Sequence, residues 1–350
     1  MHIDDLFRAA VKRRASDIHL VAGQPPILRI NGLLKPVSGA KTLVPQAIKD
    51  LTFDIITEKQ REKFLEKKEL DVSYEIKNLA RFRVNLHFER GNVGLVARVI
   101  PTKIPSMKEI MMPDIVYDLV REDSGLVLVT GPTGCGKSTS LAAMIEFMNN
   151  ERSVHIVTLE DPIEFIFNSK KSLIIQRQLN TDMLSFESAL THVLRQDPNV
   201  VVVGEMRNLE TIAAAITLAE TGHLVLATLH THNTHQTIDR IIDIFPAHQQ
   251  NQIRLQLSIS LAGIISQKLI PSVEGGRIAA REVLVNTPAV GNLIRENKIA
   301  QIRTIVQTSA AQGMFTMDQH LVELYKEGKI SLETVRAHIV DYNMIKKKAH

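Results

Sequence analysis

The sequence predicts an α/β protein of two parts, a small α+β domain followed by a larger domain built on a parallel sheet. A glycine-rich loop with the spacing G-x-x-x-x-G-K-S lies at residues 131–138, between a strand-like and a helix-like segment. From about residue 110 onward strands and helices alternate, which is typical of a parallel sheet with crossover helices. Two prolines mark a break at 101–105. We therefore expect domains at 1–100 and 110–350, joined by a hinge linker at 101–109.

Length and composition agree with a protein of this size and class. The chain has 350 residues, enough for two domains of about 150 residues each, and 44% of its residues are hydrophobic. No apolar run approaches the roughly 20 residues of a membrane-spanning helix. The segment that begins at Met1 is acidic and has no apolar core, so it does not resemble a signal peptide. We expect a cytoplasmic protein.

The charge and the side-chain types argue against some partners. Lys and Arg number 42 and Asp and Glu 38, so the net charge is +4, which gives no reason to expect nucleic acid. The chain has no Trp and only 4% aromatic residues, so surfaces for stacking bases are scarce. One cysteine excludes an intrachain disulfide and a multi-cysteine zinc site. The lysines at 346–348 are expected to be a solvated tail.

The first domain is expected to contain helices and an antiparallel sheet. Amphipathic periodicity predicts helix at 3–14 and over 45–67, where Thr57 is a plausible cap for the second segment. Alternation or strand-type composition predicts strands at 17–21, 27–30, 70–76, 81–90 and 93–100. We expect Asn31-Gly32 to turn the second strand and Gly91-Asn92 to join the last two.

The strand at 81–90 has two faces. Four apolar residues alternate along it and should face the core: Phe82, Val84, Leu86 and Phe88. Arg81, Arg83 and Asn85 then lie on the other face, and Arg98 comes from the paired strand. By the strand pattern alone, a solvated polar face is the favoured interpretation.

The glycine-rich loop predicts a phosphate site. Its glycines let successive backbone N–H groups surround an anion, and the helix N-terminus that follows adds a favourable field. Lys137 can reach the β- and γ-phosphates, and the Ser138 hydroxyl can ligate Mg²⁺. The alternative is a glycine turn that binds nothing. The expected nucleotide-binding residues are Gly131, Pro132, Thr133, Gly134, Cys135, Gly136, Lys137, Ser138 and Thr139. Cys135, near a helix N-terminus, is a candidate for a lowered thiol pKa and sensitivity to oxidation.

Carboxylates follow two of the predicted strands. Glu160, Asp161 and Glu164 come after a strand at 153–158, at the end of a parallel sheet where ligands bind. They could hold waters of Mg²⁺ or orient an attacking water, and a surface acidic turn is the alternative.

Glu205 follows the buried strand at 199–203 in a pattern that resembles a Walker B element, with Gly204 in place of the usual aspartate. We expect Glu205 to polarise the attacking water.

Histidines flank the next strand, at 223–230, after a helix that Asn208 can cap and Gly222 can end. A zinc site at His230, His232 and His235 has little support, because the chain lacks an H-E-x-x-H pattern. A histidine at the strand end could sense the γ-phosphate, or both histidines could act as caps. We predict helices at 247–268, 288–297, 300–308, 316–327 and 331–341, and an edge strand at 277–285.

Seven motifs in order resemble those of the type IV pilus retraction ATPases, the PilT-like branch of the type II/IV secretion ATPase superfamily. They lie at 16–20, 81–85, 131–139, 160–165, 203–207, 219–223 and 228–231. The resemblance implies a PAS-like first domain, a RecA-like ATPase domain, a hexameric ring, and ATP and Mg²⁺ as ligands. It implies that Arg83 and Arg98 (less securely Arg81) act as arginine fingers. It also implies an aspartate box of Glu160, Asp161 and Glu164, a catalytic Glu205, and a histidine box of His223 and His230.

The resemblance further implies a motor, peripheral at the inner face of the cytoplasmic membrane, that powers pilus retraction for twitching motility. Its partners would be other copies of the chain, an inner-membrane platform protein, pilin indirectly and a paralogous ATPase. The chain has neither the length nor the four cysteines of assembly and type II secretion ATPases, which favours the retraction branch. The family's helix A-I-R-N-L-I-R-E is here 289–296 with Gly291 in place of an arginine, so an accessory (PilU-like) retraction ATPase stays open.

Three further functions are compatible with the phosphate-binding loop. One is that of a pilus assembly or secretion ATPase. A RecA-like nucleic-acid translocase would share the loop, and salt-dependent DNA binding would identify it. A regulatory module that binds nucleotide without turnover would need Lys137 but not Glu205.

Overall fold

The computed structural model describes residues 2–30, 32–77, 79–100 and 103–346. The chain forms two compact units. The first contains Met1–Lys103 with Pro162–Ile166, and the second contains Ile104–Asp161 with Phe167–His350. The division between units falls inside the expected 101–109 linker, of which 101 and 102 lie outside the described residues, as do 347 and 348 of the lysine tail.

The first unit is a six-stranded antiparallel sheet with helices on its buried face. Its helices are α1 (Ile3–Lys12), α2 (Pro45–Phe53) and α3 (Glu58–Lys67). Its strands are β1 (Asp17–Leu20), β2 (Ile27–Ile30), β3 (Leu33–Pro36), β4 (Glu69–Ile76), β5 (Ala80–Glu89) and β6 (Asn92–Ile100), in the sheet order β3-β2-β1-β6-β5-β4.

The buried face of this sheet follows the predicted alternation. Phe82, Val84 and Leu86 are buried, whereas Phe88 is half-buried and packs against the edge of the core. The Phe7 ring of α1 stacks on Phe82 with ring centroids 4.3 Å apart. Thr57 caps α3 through a capping box with Gln60, as predicted. Apolar packing of helix on sheet therefore holds the unit together.

The turn between β5 and β6 differs from the prediction by one residue. Glu89 pairs with Asn92, so Arg90 and Gly91 are the central residues. Their φ values are 49° and 79°, the left-handed region that a tight type I′ hairpin requires at both positions. The other predicted turn includes Asn31, which lies outside the described residues.

The second unit is a seven-stranded sheet between helices. Its strands are β7 (Gly125–Thr130), β8 (His155–Glu160), β9 (Leu173–Gln178), β10 (Val200–Val203), β11 (Leu224–Leu229), β12 (Leu261–Pro271) and β13 (Arg277–Val285). The order is β13-β12-β7-β11-β10-β8-β9. All neighbours are parallel except β12 and β13. As predicted, β13 is an edge strand.

Helices cover both faces of this sheet. They are α4 (Asp114–Leu119), α5 (Lys137–Glu151), α6 (Phe186–Val193), α7 (Leu209–Glu220), α8 (Thr234–Asp243), α9 (Ala247–Ser260), α10 (Pro288–Arg295), α11 (Ile302–Thr308), α12 (Met317–Lys326), α13 (Leu332–His338) and α14 (Asn343–Lys346). Asn208 caps α7, as predicted. None of the helices in the described ranges is long and apolar enough to cross a membrane.

One predicted helix, at 247–268, is only partly correct. The helix α9 ends at Ser260, and β12 begins at the next residue. The segment 261–267 is mostly buried because it pairs with β7 on one side and β13 on the other. Long-range strand pairing therefore overrides the helical periodicity that continues from α9.

Candidate nucleotide-binding site

The phosphate-binding loop connects the carboxyl end of β7 to the start of α5. Gly131 has φ 144°, and a Cβ on it would lie 2.3 Å from the Gln267 carbonyl oxygen. Only glycine fits this close approach. Gly136, with φ 89°, occupies the N-cap position of α5. Since it has no side chain to cap the helix, the first-turn N–H groups of α5 can bind an anion.

Lys137 folds back onto its own loop. Its Nζ donates to the carbonyl oxygens of Gly131 (2.8 Å) and Pro132 (3.2 Å) and lies 3.4 Å from His230 Nδ1. Phosphate oxygens would compete with these carbonyls for the ammonium protons. Ser138 is exposed on the first turn of α5, where its hydroxyl can reach a ligand.

The carboxylate of Glu205 lies between the side chains of His230 and Arg207. One oxygen is 3.0 Å from His230 Nε2, and the other accepts a 2.9 Å bond from Arg207. Burial disfavours the ionised carboxylate, but the hydrogen bond and charge of Arg207, together with His230 and Lys137, outweigh it and lower the pKa of Glu205. Glu205 is therefore ionised near neutral pH and can accept a hydrogen bond from a water.

The backbone around Glu205 is fixed on both sides. The Gly204 N–H donates to Leu159 O at the end of β8 (2.8 Å), and Thr228 Oγ1 donates to Gly204 O (2.5 Å). A Cβ on Gly204 would lie 3.1 Å from Leu159 O. A side chain at position 204, such as the usual aspartate, would therefore require β8 to shift by a few tenths of an ångström at Leu159.

Glu160 is the last residue of β8, and its backbone lies close to Gly204. Its carboxylate accepts hydrogen bonds from Thr158 Oγ1 (2.6 Å) and Gln176 Nε2 (3.1 Å). Asp161 is exposed at the same edge of the sheet. The described residues contain no cluster of three His, Cys, Asp or Glu side chains suited to a metal ion. In this loop the Ser138 hydroxyl could ligate Mg²⁺, an ion that usually keeps several waters and is held by one or two side chains together with substrate phosphates.

Three of the expected residues belong to the first unit. Arg83 and Arg98 are direct partners across β5 and β6, and Arg98 Nε donates to Asp17 Oδ1 at 3.1 Å. Glu164 lies in the 162–166 segment, which groups with the same unit. Their roles toward nucleotide stay predictions.

The structure does not bring His223 to the loop. His223 precedes β11, and its carbonyl accepts from Gly125 N–H at the start of β7 (3.0 Å), whereas Leu229 at the other end of β11 bonds Gly131. Six residues of strand, about 20 Å, separate the two ends. The His223 ring lies 3.1 Å from Leu218 O and lines a cavity of about 350 Å³ together with Arg152 and eight other residues.

For Cys135, the candidate for a lowered thiol pKa, the structure indicates a shift in the opposite direction. Its side chain is buried, and burial raises the pKa of the thiol although Lys137 and backbone hydrogen bonds oppose the shift. A buried thiol with a raised pKa forms little thiolate at neutral pH, so it reacts slowly with oxidants.

Gln267 was missed by sequence reasoning because the predicted helix at 247–268 concealed its strand. Its side chain is 1% exposed, and its Nε2 donates to Cys135 O in the loop. The signal available in the sequence was a polar pair, Ser266 and Gln267, inside an apolar β-branched segment.

Known proteins are similar to this chain over most of its length. Residues 1–275 match the family model described as "Type II/IV secretion system protein". The chain is 47% identical to the "Type IV pilus retractation ATPase PilT" of Pseudomonas aeruginosa, over 96% of this chain and 97% of that protein. It is 41% identical to the "Type IV pilus ATPase PilU" of the same organism, over 97% and 88% of the two chains.

The fold is also similar to a solved structure. The crystal structure of the pilus retraction motor PilT with bound ADP superposes with a TM-score of 0.92, at 44% identity and over 99% of both chains. The two chains therefore share a fold over nearly their whole length.

Proposed function

Because the chain belongs to the type II/IV secretion system protein family, we propose that it is an ATPase motor that powers retraction of type IV pili, the process behind twitching motility. The observation that carries the proposal is the position of Glu205. This ionised carboxylate lies beside His230 and Lys137, at the edge of the sheet where the phosphate-binding loop begins. A turnover site needs such a group, and a site that only binds nucleotide does not.

The residues of this chain divide the chemical work. Backbone N–H groups of the loop and the Lys137 ammonium bind the β- and γ-phosphates, and Ser138 holds a magnesium ion. The ion, when bound, neutralises charge that develops on the phosphate oxygens. Glu205 accepts a hydrogen bond from the attacking water and orients it toward the γ-phosphorus. His230 donates to Glu205 and keeps the carboxylate in place.

We further propose that six copies form a ring. Arg83 and Arg98 would stabilise the transition state as arginine fingers, a role in which one arginine can supply about 10³-fold or more in rate. Their side-by-side placement across β5 and β6 supports a joint role. The stretch 101–109 would act as the hinge. The ring would act on an inner-membrane platform protein from the cytoplasmic side, and on pilin through it.

An accessory retraction ATPase is the second candidate, because Gly291 replaces an arginine of the family's helix. Gly291 is buried, and a Cβ on it would lie 3.1 Å from Ser258 O of α9. The glycine therefore lets α10 approach α9 closely, while Asn292, Arg295 and Glu296 of the motif remain exposed. Retraction by this chain in cells that lack both a primary and an accessory ATPase would separate the two roles.

The test measures ATP turnover and oligomeric state together. We expect the native ring to hydrolyse ATP, and Glu205→Gln to form the ring with turnover reduced by about 10² to 10⁴. Arg83→Ala should assemble into the ring and lose ATP turnover. The control Arg90→Ala removes an exposed arginine from the turn of the same sheet, and it should assemble and keep the native turnover. Equal turnover by native protein and Glu205→Gln would contradict the motor, and full turnover by Arg83→Ala would contradict the arginine fingers.

A further inference from the structure

We propose that Gln267 is a positioning residue that holds the phosphate-binding loop in the shape that binds nucleotide. The proposal rests on the proposed nucleotide site and adds to it a residue from a distant strand. Gln267 is separated by more than a hundred residues in sequence from the loop that it supports.

The side-chain amide of Gln267 bonds to the loop and the helix together. Its Nε2 donates to the carbonyl oxygen of Cys135 at 2.8 Å, and its Oε1 accepts from Ser140 Oγ at 2.8 Å. Gln267 and Ser140 are 1% and 2% exposed, so water does not compete for these bonds. One amide therefore ties the last part of the loop to the first turn of α5.

The backbone of Gln267 also approaches the loop. The strand β12 runs parallel to β7 as far as the pair Ser266 and Thr130, and then continues past the end of β7. There the Gln267 carbonyl lies so close to Gly131 that no Cβ fits between them. Gln267 therefore contacts the loop at its first residue and again at Cys135.

The bond to Cys135 fixes the direction of the next N–H group. The Cys135 carbonyl and the Gly136 N–H belong to the same peptide unit, which is planar and trans, so they point in opposite directions. Holding the carbonyl oxygen against β12 aims the Gly136 N–H away from β12. Successive N–H groups aimed in this way are what a phosphate-binding loop offers to its ligand.

Only an amide satisfies both partners. The Cys135 carbonyl oxygen needs a hydrogen-bond donor, and the Ser140 hydroxyl donates to an acceptor. The Gln267 amide supplies the donor through its NH₂ group and the acceptor through its oxygen. Methionine has a similar length and supplies no N–H donor. The buried carbonyl would then lose its partner, and the peptide could rotate to find another. We expect this rotation to weaken nucleotide binding.

The experiment measures ADP affinity by isothermal titration calorimetry and the melting temperature with and without ADP, on the full chain. Gln267→Met should raise the Kd for ADP about tenfold and shrink the increase in Tm that ADP causes. Ser140→Ala keeps the bond to Cys135 and should change the Kd less than about threefold. The matched control is Ser266→Ala. Ser266 precedes Gln267 in β12, and the substitution removes its buried 2.6 Å hydrogen bond with Thr130 of β7. It should lower the Tm of the free protein while leaving the Kd for ADP within about twofold.

A merely structural role for Gln267 predicts a different result. Gln267→Met would then behave like Ser266→Ala, with a lower Tm of the free protein and an unchanged Kd, and this outcome overturns the inference. If Gln267→Met does not fold, Gln267→Asn gives the same test, because its amide is one methylene too short to reach Cys135. Absence of ADP binding by the native protein would overturn the proposed function and this inference together, whereas equal affinities of native and variant overturn the inference alone.

Discussion

The two ends of the seven-stranded sheet carry similar side chains with different partners. At the carboxyl end, beside a glycine-rich loop, the His230 ring lies between the Glu205 carboxylate (3.0 Å) and the Lys137 ammonium (3.4 Å). At the amino end, Arg152 donates to the carbonyls of Val120 and Glu122 and to the Asp123 carboxylate, and the His223 ring lies beside the Leu218 carbonyl.

The difference shows that a cationic residue or a histidine at the edge of this sheet is not sufficient for a phosphate-binding site. At the amino end, backbone carbonyls and an exposed aspartate already satisfy the arginine. At the carboxyl end, the glycines leave N–H groups for an anion, and His230 lies beside a carboxylate that can bind water. Two histidines seven residues apart in sequence therefore have different surroundings because one strand separates them.

The largest effect should come from the cations at the two ends. We expect Lys137→Ala to reduce ATP turnover by about 10² to 10³, because the phosphates lose their charged partner. Arg152→Ala should retain most of the turnover and lower the Tm, since its hydrogen bonds join parts of the same unit. Steady-state phosphate release and melting curves measure both. Comparable losses of turnover in the two variants would show that the carboxyl and amino ends of the sheet do not differ in their contribution to ATP hydrolysis.

A third histidine provides a comparison with a buried environment. His320 Nδ1 accepts from the Arg281 N–H at 2.8 Å, and burial together with the Arg281 charge lowers the pKa of His320 from 6.5 to about 4. The folded state therefore disfavours the proton. The contribution of His320 to the free energy of unfolding should be fully present above pH 6.5 and should be lost as the pH falls to about 4. The total loss is about 3 kcal/mol, at about 1.4 kcal/mol per pH unit.

Urea unfolding at several pH values measures this loss. His320→Asn keeps an acceptor for Arg281 and removes the titration, so its stability should depend less on pH over this range. The exposed His232→Asn is the matched control and should behave like the native protein. An identical pH dependence for native protein and His320→Asn would show that another group is responsible.

The histidines at the two ends of β11 should contribute differently, His230 to kcat and His223 to neither phosphate binding nor the loop of its own chain. His230→Ala removes a partner of Glu205 and should lower kcat about tenfold, with a smaller change in KM. His223→Ala should leave the Kd for ADP of dilute protein within about twofold, because its ring does not reach the loop of the same chain. A large rise in that Kd for His223→Ala would indicate that the geometry at the amino end changes on binding.

The smallest effect should come from two threonines, Thr228 near the carboxyl end of β11 and Thr221 before its amino end. Thr228 Oγ1 holds the Gly204 carbonyl at 2.5 Å and thereby the backbone next to Glu205. Thr221 Oγ1 donates to Leu218 O at 3.0 Å. We expect Thr228→Val to lower kcat about threefold and Thr221→Val to leave it unchanged, in line with about 1 kcal/mol per hydrogen bond. The prediction fails if both variants have the native kcat.

The sequence predicted best the features that depend on neighbouring residues. The loop at 131–138, the capping box of Thr57 and the cap at Asn208 are local patterns, and each lies where it was expected. The strands β7, β10 and β11 were recognisable because buried parallel strands read as continuous apolar runs.

Features that depend on distant partners were harder to predict. The strand β9 is an edge strand with exposed side chains, so it lacks the apolar signal of its neighbours. The strand β12 continues a helical pattern and becomes a strand only because β7 and β13 are there to pair with it. The contact of Gln267 with the loop and the separation of His223 from it follow from that topology, which spacing along the chain does not contain.

The burial of Cys135 has a practical consequence for spectroscopy. It is the single cysteine of the chain, its side chain is 3% exposed, and burial raises the pKa of its thiol. Maleimide dyes react with accessible thiolates, so the native protein offers them little to label. A cysteine introduced at an exposed position of either unit could then be labelled selectively without replacing a residue of the loop. Pairs of such labels would allow fluorescence energy transfer to follow the two units during ATP turnover.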